Sequence, residues 1–456
     1  MPGIYVLRRR RQLRHAGNCE PALHLNGRRL ALAAALAIAA ALAPEGSFGR
    51  GRGGPVRRAE LFRLTQRIAV RIAEARGMRV VAPVRAGLMT RERLLDLVRK
   101  RIAEDSPPEE IRREATLLKM LGLLPAAADY EALIHRLLGE AVAGIYDTKD
   151  RSLYVLADLD PAEAELTLWH ETVHALQDQN YSIGDRHDAL DDDGDRQVAL
   201  RSVCEGDATI TGALLASGLD TSRIDILLPR DPGALRAMLA LPAGPDAVPE
   251  ALLRVLAFPY VEGTLFVRDR MEPGSLPSIG ALFRKPPQST EQVMHPERYA
   301  RGDAPVRLRF GPLAPPLESW TVAYDDTFGE LGVRIWIEHH TSASLAAPAA
   351  EGWGGDRIAL VEPPAADEPQ GHAPAWVLWQ TAWDPAPPEH SLGSSGEAID
   401  FERAAVRTLV ARFCADGGPE EAGRHDAAAS PWTLDAPPSA VAGVLRDGRR
   451  VFVAIG

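Results

Sequence analysis

The stretch from Pro161 to Tyr181 constrains this chain more than any other. Apolar Leu166, Trp169, Val173 and Leu176 recur at helical spacing, Asp160 is a good N-cap, Pro161 fits the first turn, and Glu163 stands three residues after the cap as in a capping box. Nothing breaks the pattern before Asn180, and the same helix carries His170, Glu171 and His174. Residues four apart lie one above the other on one helix face, so the two imidazoles can share a small ion. Glu171 then sits at the rim of that face, where it can take a proton from water on the ion. The alternative is an ordinary buried helix whose histidines are satisfied by neighbouring carbonyls. A third ligand separates the two readings.

Structural zinc sites close with four protein ligands, whereas catalytic sites use three and leave a position for water. A metzincin places its third histidine six residues after the second, and here that position is Asn180. No CxxC pair exists, which removes the zinc-finger reading. The best third ligand lies in "RQVALRSVCEGDATITGALL", residues 196–215. Val198, Leu200, Val203, Ala208 and Ile210 predict a largely apolar helix, in which an acidic residue must be paired, ligated or at an edge. Glu205 is that residue. Gly206 beside it costs roughly 1 kcal/mol against alanine in a helix interior, which points to close approach of another backbone or ligand. Cys204 reads as a packing residue, since as a fourth ligand it would close the site.

His170, Glu171 and His174 on one helix, with a glutamate from the later helix in "EGDAT", resemble the gluzincin metallopeptidases, the thermolysin-like group. "GIYDTKDRSLYVL", "PYVEGTLFV", "STEQVMHPERY" and "GWGGDRIAL" resemble a bacterial, membrane-anchored or secreted branch of them, and the likeness spans roughly residues 85–415. The resemblance implies an α+β fold, predominantly helical, with a zinc helix pair next to a β-hairpin. It implies Zn2+ held by His170, His174 and Glu205, with Glu171 as general base in the hydrolysis of a peptide or protein substrate. The thermolysin-like pattern has an aspartate four residues after the glutamate ligand to orient a histidine. This chain has Thr209 there, so that role passes to Asp178 or Asp207. For the developing oxyanion, His295 is the first candidate and Tyr260 the second, each against a structural role. The rival to an enzyme is a non-catalytic binding or assembly protein that keeps the helix pair as scaffold. The intact Glu171 counts against it.

The N-terminus differs in kind. "RRRR" at 8–11 and "RR" at 28–29 precede the apolar "LALAAALAIAAALA" at 30–43, which is short for a spanning helix and reads as a secretion signal or uncleaved anchor. An internal alanine-rich helix is the alternative. "ALA" at 41–43 resembles a cleavage site, although Pro44 disfavours cutting there, and no cysteine follows closely enough for a lipid-attached start. The protein is therefore expected outside the cytoplasm, secreted or anchored to a bacterial cytoplasmic membrane through residues 30–43. Residues 1–53 hold nine arginines and two glutamates, so the remainder carries 43 basic against 60 acidic residues and would repel nucleic acid. Cys204 and Cys414 beyond this leader could pair, and spacing does not decide it.

Residues 1–56 are read as leader plus linker, 57–140 as a helical N-terminal subdomain, 141–310 as the catalytic domain and 311–456 as a smaller α/β C-terminal domain. Helical patterns occupy 57–76, 90–104, 108–122 and 128–140, and then "GIYDTKDRSLYVL" signals a hairpin around an Asp-Thr-Lys-Asp turn. By the gluzincin resemblance its edge strand would receive an extended peptide, while a purely structural hairpin is the other reading. "DRHDALDDDGDR" at 185–196 fails the calcium-loop pattern at Ala189 and Leu200 and reads as a solvated loop. Further helices are expected near 327–340 and 398–414, with strands at 376–383 and at the C-terminus. The C-terminal tryptophans read as core.

Overall fold

The computed structural model describes residues 58–105, 107–141, 143–190, 192–239, 248–313, 317–364, 375–384, 396–413, 442–447 and 449–456. The leader, the linker and Cys414 lie outside the described residues. Helices of eight or more residues are numbered here and shorter ones are named by their range.

The N-terminal helices fall where their periodicity puts them: α1 (Arg58–Arg76), α2 (Arg91–Asp105), α3 (Pro108–Met120) and α4 (Tyr130–Ala141). One element departs from the expected all-helical subdomain. Arg85–Met89 is a strand, β1, lying parallel to β3 (Ser152–Leu156). The hairpin partner β2 (Gly144–Asp147) runs antiparallel on the other side of β3, giving a three-stranded sheet of order β1-β3-β2. The run "RAGLM" is too short for its period to be read, and only the long-range pairing with β3 makes it a strand.

The hairpin leads into α5 (Pro161–Tyr181), started as the sequence demands: the Asp160 carboxylate accepts the Ala162 and Glu163 N–H groups. Leu168, Trp169, Val173 and Leu176 bury one side against α1 and β3 in an apolar cluster with Ile68, Ile72, Leu153 and Val155. The other side meets α6 (Gly194–Ser217), which is buried along almost its whole length. The third helix of this layer, α7 (Glu250–Arg270), crosses α6 at two glycines. A Cβ on Gly206 would stand 2.3 Å from the Gly263 carbonyl oxygen, and one on Gly263 would stand 2.4 Å from that of Ser202. The backbones touch there, as the glycine beside Glu205 suggested.

The stretch 185–196 is not a solvated loop. It contains a short helix, Ile183–Asp188, and the start of α6, whose N-cap Asp193 accepts the Arg196 N–H. Asp195 is buried, accepting the Thr290 N–H and hydroxyl. Its charge pattern looked soluble because these partners come from distant parts of the chain.

Beyond residue 310 an antiparallel five-stranded sheet, order β4-β5-β6-β8-β7, is built from β4 (Thr321–Asp326), β5 (Trp353–Glu362), β6 (Trp376–Trp383), β7 (Ala442–Asp447) and β8 (Arg450–Ile455). Its helices are α8 (Gly329–His340), α9 (Ala343–Ala350) and α10 (Gly396–Phe413). Trp336, Trp353, Trp379 and Trp383 are buried in this core, as expected. The apolar core runs without a break from Leu94 on α2 through α6 and α7 to Ile455 on β8. The fold is α+β and mostly helical. Among the described residues no helix is long and apolar enough to cross a membrane.

Candidate metal centre

The spacing that put His170 and His174 on one face of α5 also turns both Nε2 atoms toward Glu205 on α6. The Glu205 Oε2 stands 3.2 Å from His170 Nε2 and 3.3 Å from His174 Nε2, and the two imidazole nitrogens are 3.0 Å apart. Zinc bonds of 2.0–2.1 Å in a tetrahedron put neighbouring ligand atoms about 3.3 Å apart, so this triangle has the size such an ion needs. The donor set of two imidazoles and one carboxylate fits zinc and leaves one position open. The Cys204 thiol is not among these converging atoms. It is buried, and burial holds its pKa above the usual thiol value.

Packing two histidines against two carboxylates displaces the pKa values of His174, Glu205 and Glu171. Burial alone would lower that of His174, but Glu205, Glu171 and Gln177 outweigh it and raise it to about 9. Burial would raise Glu205, yet the two histidines hold it down at about 2. Glu205 thus stays a carboxylate, ready to ligate. Glu171 goes the other way. Its near-complete burial pushes its pKa up against the pull of the histidines, and it accepts the Tyr146 backbone N–H.

That contact fixes the place of β2. Ala143 accepts the Leu156 N–H, so the alternating ladder turns the backbone of Gly144 and Tyr146 away from β3, toward α5. A Cβ on Gly144 would lie 2.4 Å from the Thr167 methyl and 3.4 Å from Glu171 Cγ. The hairpin edge is therefore drawn tightly over Glu171, and a cleft opens beside it. Its walls include Tyr146, Thr148 and Lys149 of the hairpin, Glu171 and His174 of α5, and Arg201 and Glu205 of α6.

Behind the triangle lies a chain of hydrogen bonds. Gln177 directs its Nε2 at the Cys204 carbonyl and at Asp207, both at 3.0 Å, so its Oε1 accepts His174 Nδ1–H at 2.9 Å. Asp207 in turn accepts both Arg76 Nε and Nη2, at 2.8 and 3.0 Å, and the Thr211 hydroxyl. Gln177, absent from the sequence reading, is the group that touches the histidine, and Asp207 acts one step behind it. Its signal was present: a polar side chain three residues after His174 on a buried helix. Asp178 instead accepts the Tyr146 hydroxyl and the Gly184 N–H, and the Thr209 hydroxyl is buried with no hydrogen-bond partner.

The two oxyanion candidates stand elsewhere. Tyr260, on α7, is fully buried behind Glu205 and hydrogen-bonds to it, its pKa pushed well up by burial and that carboxylate. It does not line the cleft. His295 ends the short helix Thr290–Met294, and its Nε2 lies 2.9 Å from Glu330 on α8. That pairing raises its pKa and holds it to the C-terminal half, and it does not line the cleft either. Both residues are buried or half-buried polar groups with a carboxylate partner, a pattern that looks the same in sequence whether the partner is structural or catalytic.

Residues 320–456 match a family described as a domain of unknown function (DUF8575). The match begins at Trp320, after every residue of the cleft. Neither the curated proteins nor the solved structures contain a match to the chain.

Proposed function

We propose that this protein is a zinc-dependent peptidase of the gluzincin type, acting outside the cytoplasm. The observation that carries the reading is the triangle of His170 Nε2, His174 Nε2 and Glu205 Oε2, with the carboxyl of Glu171 beside it and an open cleft in front. A zinc ion bound there acts as a Lewis acid and lowers the pKa of water toward 7. Glu171 takes the proton of the attacking water and passes it to the leaving amine. Burial suits it for this, because a carboxylate whose pKa is raised is a stronger base than an ordinary one. The Tyr146 N–H aims the carboxyl, and Gln177 holds His174 in the tautomer that leaves Nε2 free. The hairpin residues Tyr146, Thr148 and Lys149 on one wall of the cleft support a peptide substrate, since an extended chain can lie along such a wall. Export rests on the basic and apolar pattern of residues 8–43.

The deciding experiment compares the parent with Glu171→Gln, which keeps the shape and removes the basic oxygen. Both proteins should bind one zinc per chain, while the variant hydrolyses protein or peptide substrates 10² to 10⁴ times more slowly, about the worth of a positioned base. Chelator-sensitive activity that survives intact in Glu171→Gln refutes the mechanism. A parent that holds zinc and cleaves nothing supports a binding scaffold instead.

A further inference from the structure

One basic side chain on the cleft wall is not accounted for by the site so far. Arg201 lies one helical turn before Glu205 on α6 and lines the same cleft, yet its residue is only 9% exposed. Its Nη2 lies 3.3 Å from His187 Nε2, an uncharged acceptor in that pairing. Its Nη1 is buried with no hydrogen-bond partner. The nearby carboxylates have other partners. Glu205 is held by both histidines and by Tyr260, and Asp178 by Tyr146 and Gly184. The other cations on the wall are paired: Arg101 with Asp147, and Lys149 with Asp105. Glu205 acts on Arg201 only through space, with no hydrogen bond between them, and an incoming carboxylate would give the orphaned Nη1 the charge-assisted bond it lacks.

We propose that Arg201 is a specificity-determining residue that binds a carboxylate of the substrate, one turn of helix from the metal centre. The carboxylate comes either from the C-terminus of the peptide or from an acidic side chain next to the cleaved bond. The identity of the ligand as a peptide rests on the peptidase reading, whereas the anion site itself does not.

Calorimetric titration of the full-length protein with 3-phenylpropanoate and with 3-phenylpropanamide tests this without any turnover. The parent should bind the carboxylate about ten- to a hundredfold more tightly than the amide, the usual worth of a charge-assisted pair. Arg201→Gln should lose that preference while keeping its zinc and its melting temperature. Arg201→Lys, which keeps the charge without the fork, should retain only part of it and serves if the glutamine variant fails to fold. Equal binding of the two probes by the parent overturns the proposal, as does a preference that persists in Arg201→Gln. Three peptides then identify the source: one with a free C-terminus, its amide, and an amide carrying glutamate. If only the first depends on Arg201 the terminal carboxylate is the ligand, if only the third does the side chain is, and if both do the site takes either carboxylate. A protein that prefers the carboxylate but holds no zinc keeps this site and loses the peptidase reading.

Discussion

At the scale of single residues, the centre depends on how firmly one imidazole is aimed. Gln177 joins His174 to Asp207, and Asp207 is fixed by the bidentate Arg76 from α1. Gln177→Leu keeps the volume but leaves His174 free to turn and the Asp207 carboxylate one donor short. Zinc affinity should fall about 10- to 100-fold, the usual effect of losing such an outer partner. Competition with a coloured chelator measures it, and unchanged affinity would show that His174 needs no such support. The residues of the triangle were legible because their spacing is local: His170, Glu171 and His174 within two turns, and Glu205 as a lone acid in an apolar helix. Arg201 met the same criterion as Glu205, a charge in an apolar run four residues away, and could have been found by it. What no local pattern contains is which of several buried histidines and tyrosines faces the cleft. His295 and Tyr260 were singled out by type alone, and their positions follow from the packing of α7 and α8.

At the scale of elements, the crossing of α6 and α7 sets the depth of the site. With Gly206 and Gly263 facing each other's backbones, no side chain separates the helices, and Glu205 is held at a fixed height opposite α5. Gly206→Ala places a methyl group where the Gly263 carbonyl already lies. Overpacking at a rigid backbone contact should cost about 3 kcal/mol in urea unfolding and reduce zinc content together with it. Gly212 offers a control on the same helix, because a Cβ there meets only His170 backbone atoms at 3.7 Å or more, an ordinary contact. Gly212→Ala should be neutral or slightly stabilising; equal losses in the two variants would mean that the crossing is not the cause. The helices were readable because each repeats its period over several turns. β1, β4, β5 and β7 were not: β1 and β4 are short and pair with strands far along the chain, β7 is the short first arm of a hairpin with β8, and β5 is buried along nearly its whole length and so lacks the alternation of a half-buried strand.

At the scale of the molecule, α6 is joined to the C-terminal half through one buried acid, and a second holds that half together. Asp326 on β4 accepts the Gly194 N–H at the start of α6, and Asp356 on β5 accepts the N–H groups of Phe328 and Gly329 and the indoles of Trp353 and Trp379. Burial pushes Asp326 up to about 7 and Asp356 up to about 6 from an ordinary 3.8. The folded protein therefore binds more protons than the unfolded chain between about pH 4 and 7, so this contribution to stability is whole below pH 4 and declines as pH rises to 7. Asp326→Asn keeps the oxygen that accepts the Gly194 N–H and removes the ionisation. Melting temperatures should then fall less steeply in the variant than in the parent between about pH 4 and 7, leaving the variant more stable than the parent by up to a few kcal/mol at pH 8. An identical slope in both proteins would remove Asp326 as its source. The burial of α6 on all sides also has a kinetic meaning. Amide protons on a helix so enclosed should exchange slowly with solvent, so Glu205 stands on a segment that resists local opening. An ion held there would leave through the cleft that both His174 and Glu205 border, and not by fraying of α6.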